Sequence, residues 1–168
     1  MSTSTSMSTL RSSALPILTA TMGSMGIVNG LYSLTSPSDA ETAFGLPVPR
    51  SISDSPTKEL PWWQAAQSYA RGVRNLAGGL SIVGITALWR FSPLCVASPV
   101  ARLVAQRCLG VIFLTGSIIG VGDGVVVSRF AEGGGTDQEA RQVALKAGWG
   151  HLVMAVPILA LGIVCFWA

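Results

Sequence analysis

Residues 108–127 read CLGVIFLTGSIIGVGDGVVV, an apolar run in which Asp123 is the one charged residue. Its length matches the hydrocarbon core of a bilayer, which takes about 20 apolar residues at helical rise. There is no period-two alternation, so the run reads as helix and not as a barrel strand. Gly116, Gly120 and Gly124 recur at four-residue spacing. Small residues so placed let two helix backbones approach closely, and close packing drives association in lipid.

Three other segments share this character. Residues 150–168 hold no acid or base except His151, and Pro157 among them is tolerable where neighbouring groups satisfy the freed carbonyl. Residues 14–34, ALPILTATMGSMGIVNGLYSL, carry no charge and place Gly26 and Gly30 four apart. A cleaved signal peptide is the alternative here, but the run is diluted by Thr and Ser, and no small-x-small cleavage site precedes Pro37. The reading is a retained span. The remaining segment, about 69–89, opens with Arg71, Arg74 and Asn75 and continues as LAGGLSIVGITALW. The expected fold is therefore all-α, an integral membrane four-helix bundle with spans at about 14–34, 69–89, 108–127 and 150–168.

Composition agrees. Charged residues make up 11% of the chain, against about 25% in soluble domains, and mean hydropathy is +0.53. Too few charges exist to coat a water-soluble surface. The net charge of +3 comes from scattered basic residues, so no basic stripe with interleaved aromatics supports nucleic-acid binding. Cys95, Cys108 and Cys165 have no CxxC spacing and read as small hydrophobes.

Between the spans, residues 1–13 are Ser/Thr-rich and expected to be disordered. Five prolines break residues 35–67, which end in Pro61-Trp62-Trp63, an aromatic anchor suited to the headgroup level. A basic connection holds Arg90, Arg102 and Arg107, and residues 128–148 read as a solvated, glycine-containing loop leading into a short helix. With four spans, both termini share a side with that basic connection. Arg11 brings its basic residues to four with no acid, whereas the other connections dilute five with seven acids. The positive-inside rule then leans towards cytoplasmic termini.

Alternating span direction places the intramembrane polar residues in one layer. Arg71, Arg74 and Asn75 lie near the start of the second span, Asp123 near the end of the third, and His151 near the start of the fourth. Asn29, near the end of the first, belongs to the same side. Arg71, Arg74, Asn75 and Gly78 share a helix face. An ionisable group at that depth is costly unless it pairs or lines a wet cavity, which makes Asp123 a site candidate with Arg71 or Arg74 as its partner. Bland readings stand beside this one. The arginines can snorkel to headgroups, Asp123 can simply fix helix register, and His151 can sit at headgroup level without a chemical role.

One carboxylate, one imidazole and two guanidiniums suffice for general acid–base work. Asp123 would be the acid or base, His151 its proton-transfer partner, Arg71 and Arg74 the oxyanion stabilisers, and Asn75 and Asn29 the substrate contacts. No dinucleotide fingerprint, P-loop or HExxH occurs, so no cofactor is indicated. One histidine and one buried acid make a poor metal site. Transport by four spans without an internal repeat would require a homo-oligomer.

FGLPVP at 44–49, ARGVRNLAGGLSI at 70–82, GDG at 122–124 and His151 resemble a fungal family of small four-span membrane proteins, a domain family of unknown function. The resemblance covers roughly residues 15–168. It implies secondary-metabolite biosynthesis, with the protein tailoring a lipophilic polyketide or terpenoid intermediate. The expected function is then acid–base chemistry on an epoxide-bearing or cyclising substrate: epoxide opening, cyclisation or isomerisation. An epoxidase or other oxidative step is the alternative enzyme, and a membrane scaffold or small transporter subunit the alternative class. The expected partners are membrane lipid and the lipophilic substrate, and the default location is the endoplasmic reticulum.

Overall fold

A computed structural model describes residues 3–46, 60–132 and 138–167. Six helices follow in order: α1 (Thr3–Thr35), α2 (Pro37–Phe44), α3 (Trp62–Phe91), α4 (Pro93–Ala97), α5 (Pro99–Glu132) and α6 (Gln138–Trp167). No strand occurs among the described residues. Prolines set several boundaries. Pro37 and Pro93 occupy the first turns of α2 and α4, and Pro61 caps α3. Proline fits there because the first-turn N–H it lacks has no intrahelical partner. The prolines at 47, 49 and 56 and the glycines at 133–135 lie outside the described residues.

Three helices are long and apolar enough to cross a membrane: Ala14–Thr35 within α1, Pro99–Glu132 and Gln138–Trp167. These mark an integral membrane protein. The fourth long helix, α3, is not among them, because Arg71, Arg74 and Asn75 interrupt its apolar run. Many large hydrophobic side chains point outward, Ile118 71% exposed, Ile17 65% and Val156 65%. Side chains of that kind on an outer face suit lipid contact.

The helices outrun the expected spans. α1 begins at Thr3, within the tail expected to be disordered; once a helix is nucleated, each added residue costs little. α5 takes up Arg102 and Arg107, which were expected in a connection. The expected loop and short helix at 138–148 are the first turns of α6, since no proline interrupts them and Gly148 is packed closely against Gly124 and Ser128 of α5.

Two antiparallel pairs, α1 with α3 and α5 with α6, make up the bundle, and they join mainly through α3 and α5. Glycines permit the first pair. A Cβ on Gly79 would stand 2.5 Å from the Gly23 carbonyl oxygen, and one on Gly30 2.6 Å from the Leu76 nitrogen. In the second pair, a Cβ on Gly110 would meet the Phe166 backbone at 2.8 Å and one on Gly124 the Leu152 side chain at 2.8 Å. The expected α5 stripe is thus partly corrected. Gly124 is needed, but Gly116 and Gly120 have ordinary room, at 3.8 and 3.4 Å. Gly26 and Gly30 do lie at the α1–α3 contact.

One end of the bundle, beside α4, is closed by Leu15, Trp89, Leu109, Phe113 and Cys165, drawn from all four long helices. Nearby, Thr86 donates to Thr19 Oγ1 at 3.0 Å, and Thr19 donates to the Pro16 carbonyl, so this buried polar pair is satisfied. The opposite end, beside α2, packs Val127, Ala131 and Ala144 against Phe44, Leu145 and Ala147.

The close α1–α3 approach yields a paired test. Gly79→Ala should destabilise the detergent-solubilised protein by about 1–3 kcal/mol, the usual cost of overpacking. Gly78→Ala, whose Cβ meets nothing within 4 Å, should leave the thermal midpoint unchanged. Equal effects from both would mean that α1 does not pack on this face of α3.

Candidate functional site at the α2 end

The second pair of ends gathers the polar residues. Arg74, on α3, meets Asp123, on α5, with Nη2 2.9 Å from Oδ2 and Nη1 3.5 Å from Oδ1. This two-point contact ties the two helix pairs together. Arg71, one turn earlier, pairs instead with Glu41 of α2. Of the two partners that the sequence offered Asp123, the structure selects Arg74, and Arg71 lies within electrostatic reach of both.

Glu41 falls within residues 35–67, expected only as a proline-broken connection, whereas the structure puts it in a helix packed on the bundle. Its side chain is 1% exposed and that of Arg71 10%. Pro37 starts α2 immediately after α1, so the short helix folds back onto α3. Gly45 ends it at φ 98°, its N–H bonding the Thr42 carbonyl while that of Leu46 bonds the Glu41 carbonyl. A Cβ there would strike Ala147 at 2.5 Å and Val127 at 2.9 Å. Glycine is required at this position for its backbone angle and for space.

Glu41 and Phe44, three residues apart, share a face of α2. The Arg71 guanidinium carbon lies 3.8 Å from the centroid of the Phe44 ring, a cation–π contact. On the other side, the His151 ring is 4.6 Å from that of Phe44, and its Nε2 lies 3.2 Å from the Phe44 carbonyl oxygen. A carbonyl only accepts, so Nε2 donates the hydrogen and the neutral ring keeps its lone pair on Nδ1. Phe44 thereby joins Arg71 to His151.

The two carboxylates differ. Asp123 is 23% exposed and held at both oxygens by a guanidinium. Glu41 is bound at Oε1 by Arg71, whereas its buried Oε2 has no hydrogen-bond partner. Burial pushes the Glu41 carboxyl above its usual range, an effect that Arg71 and the Ser68 hydroxyl offset only in part. Ser68 is itself buried, its Oγ 3.3 Å from the Ser33 carbonyl oxygen and 3.4 Å from that of Pro37.

The two asparagines contribute less than expected. Asn75 is half-buried, with its backbone carbonyl beside Gly26, and its side chain makes no hydrogen bond among the described residues. Asn29 is exposed, and its carbonyl accepts from Ser33 Oγ at 3.0 Å. It shares none of the contacts of the charged cluster. Among the described residues, no group of three or more His, Cys, Asp or Glu stands where it could hold a metal ion.

The family model described as a domain of unknown function, DUF4267, matches residues 23–165. The chain belongs to the DUF4267 family. The match takes in Glu41, Phe44, Arg71, Arg74, Asp123 and His151, so the whole layer lies inside the DUF4267 domain. A comparison with curated proteins gives no match, and neither does one with solved structures.

The geometry predicts unequal coupling. In a double-mutant cycle on thermal stability in detergent, Asp123→Asn with Arg74→Gln should show a coupling of about 1 kcal/mol, as for interhelical polar pairs in membranes. Asp123→Asn with Arg71→Gln should show less. The reverse order would assign Asp123 to Arg71.

Proposed function

We propose that this DUF4267 protein is a membrane-embedded enzyme that moves protons on a lipophilic small molecule, without a change of oxidation state. The observation that carries the reading is the layer at the α2 end. It combines a buried carboxyl with one unpartnered oxygen, an imidazole with its lone pair on Nδ1, and two guanidiniums, all within an apolar bundle. A base and an acid within one water-poor site are the equipment for isomerisation or ring opening. A neighbouring guanidinium is worth more there than in water against a developing oxyanion.

These contacts support the following assignment of roles. His151 Nδ1 is the base. Arg71, already held by Glu41 and Phe44, faces the reacting oxygen with its remaining N–H groups. Asp123 keeps Arg74 in place and ties α3 to α5, a positioning role in place of the acid–base role expected from sequence. The proposed substrate is an epoxide-bearing or cyclising polyketide or terpenoid intermediate in a fungal biosynthetic setting, as the sequence resemblance suggests. An oxidative step, such as epoxidation, is the alternative enzymatic reading. We further place α3 as a fourth span, because it packs glycine to glycine along the membrane-spanning part of α1, and the endoplasmic reticulum as the membrane.

One observation favours a second reading. Both arginines are paired with acids, as a purely structural network would be. A scaffold or transporter subunit would use them so.

Deleting the gene in its native host and restoring it as His151→Ala separates the readings. The variant should insert at normal abundance while product falls about 10²–10⁴-fold, the usual contribution of a proton-transfer group. Full production at normal abundance would favour the scaffold.

A further inference from the structure

An ionised carboxylate shares its charge between two oxygens, and both want donors. At Glu41 the structure gives Oε1 the guanidinium of Arg71 and leaves Oε2 buried with none. Burying a charged acceptor without a partner is among the costlier things a fold can do. A proton on Oε2 removes that charge and turns the atom into a donor. Of the groups around it, Arg71 offers only donors, and the Ser68 hydroxyl, whose hydrogen goes to backbone carbonyls, is the one neighbour among the described residues that can accept. Arg71 and Ser68 come from α3, and Phe44 packs against both Arg71 and the His151 ring of α6. Asp123 of α5 is occupied by Arg74.

We propose that Glu41 is the catalytic acid of this site, delivering a proton from Oε2 to the oxygen of an otherwise apolar epoxide or ketone substrate. This rests on the proton-transfer reading above and adds the atom that completes it. With an epoxide, the Oε2–H bond breaks and an O–H bond forms as the ring C–O bond opens. His151 Nδ1 takes a proton from the adjacent carbon, and the C–H electron pair becomes a carbon–carbon double bond. The product is an allylic alcohol isomeric with the substrate. The site is left with a carboxylate and an imidazolium; the imidazolium releases its proton to solvent and the carboxylate takes one up, which resets it. No electrons are gained or lost. Burial raises the affinity of Glu41 for its proton, in the direction that such an acid needs near neutral pH.

This acid explains why a charged residue from a proline-rich connection is buried at all. Phe44, on the same face of α2, packs its ring against Arg71 and His151 and so fixes the spacing of the acid, the cation and the base. Arg71 holds Oε1 and thereby aims Oε2, a positioning role distinct from its contact with the substrate oxygen.

Two measurements on the full-length protein decide it. Infrared spectroscopy of the wild type in nanodiscs at neutral pH should show a protonated-carboxyl band that shifts on carbon-13 labelling of glutamate. Absence of that band overturns the proposal. In the deletion host, Glu41→Gln should insert at wild-type abundance, since it replaces a neutral acid by a neutral amide, and product should fall about 10²–10⁴-fold. Glu41→Asp should restore part of it. Full production from Glu41→Gln alongside loss in His151→Ala would overturn the acid and leave the proton-transfer reading standing. Full production from both would overturn the two together. If Glu41→Gln lowers the protein level itself, the infrared band decides alone.

Discussion

Two arginines one turn apart on a helix within an apolar bundle are the constraint around which the rest is arranged. Each needs a partner in an apolar setting, since guanidinium N–H groups left unsatisfied there are costly. Arg74 is answered from α5 by Asp123, and Arg71 from α2 by Glu41. Each answer joins elements distant in sequence. The first holds the α1–α3 pair to the α5–α6 pair, and the second pulls a short helix out of the connection and down onto the bundle end. Phe44 and Gly45 then close that end against α6.

Glycine contacts make the arrangement reachable. α1 and α3 approach so closely at Gly23, Gly26, Gly30, Gly72 and Gly79 that added methyl groups would meet backbone atoms. In lipid there is little hydrophobic gain from helix association, so van der Waals contact at such seams carries much of it. The seam also sets the register of α3, and with it the depth of Arg71 and Arg74. Packing and site are in this sense one feature, because sliding α3 by a turn would separate both arginine–carboxyl contacts.

Much of this was legible in the sequence. Long uncharged runs fixed the helical class, and alternating direction put Arg71, Arg74, Asp123 and His151 at one end, where the structure also has them. Helix limits were less legible, since polar turns such as 138–147 continue a helix when no proline or glycine stops them. Glu41 was missed for a physical reason. An acid among prolines and other charges looks solvated, and only the fold-back of α2 buries it. The available signal was the spacing of Glu41, Phe44 and Gly45, a helical face ending in a cap. The choice between Arg71 and Arg74 for Asp123 depends on a fraction of a helical turn and is not encoded in spacing alone. Asn29 shows the opposite failure, since the right end of a helix does not ensure the right face.

The proposed function depends on a polar layer at one membrane face, with α3 proposed as a fourth crossing beside three more apolar helices. Reporter tags at Met1 and Ala168, tested for protease protection in sealed microsomes, address this most directly. Four crossings predict the same protection for both tags. Opposite protection would mean an odd number of crossings, and the layer as described could not form at one face.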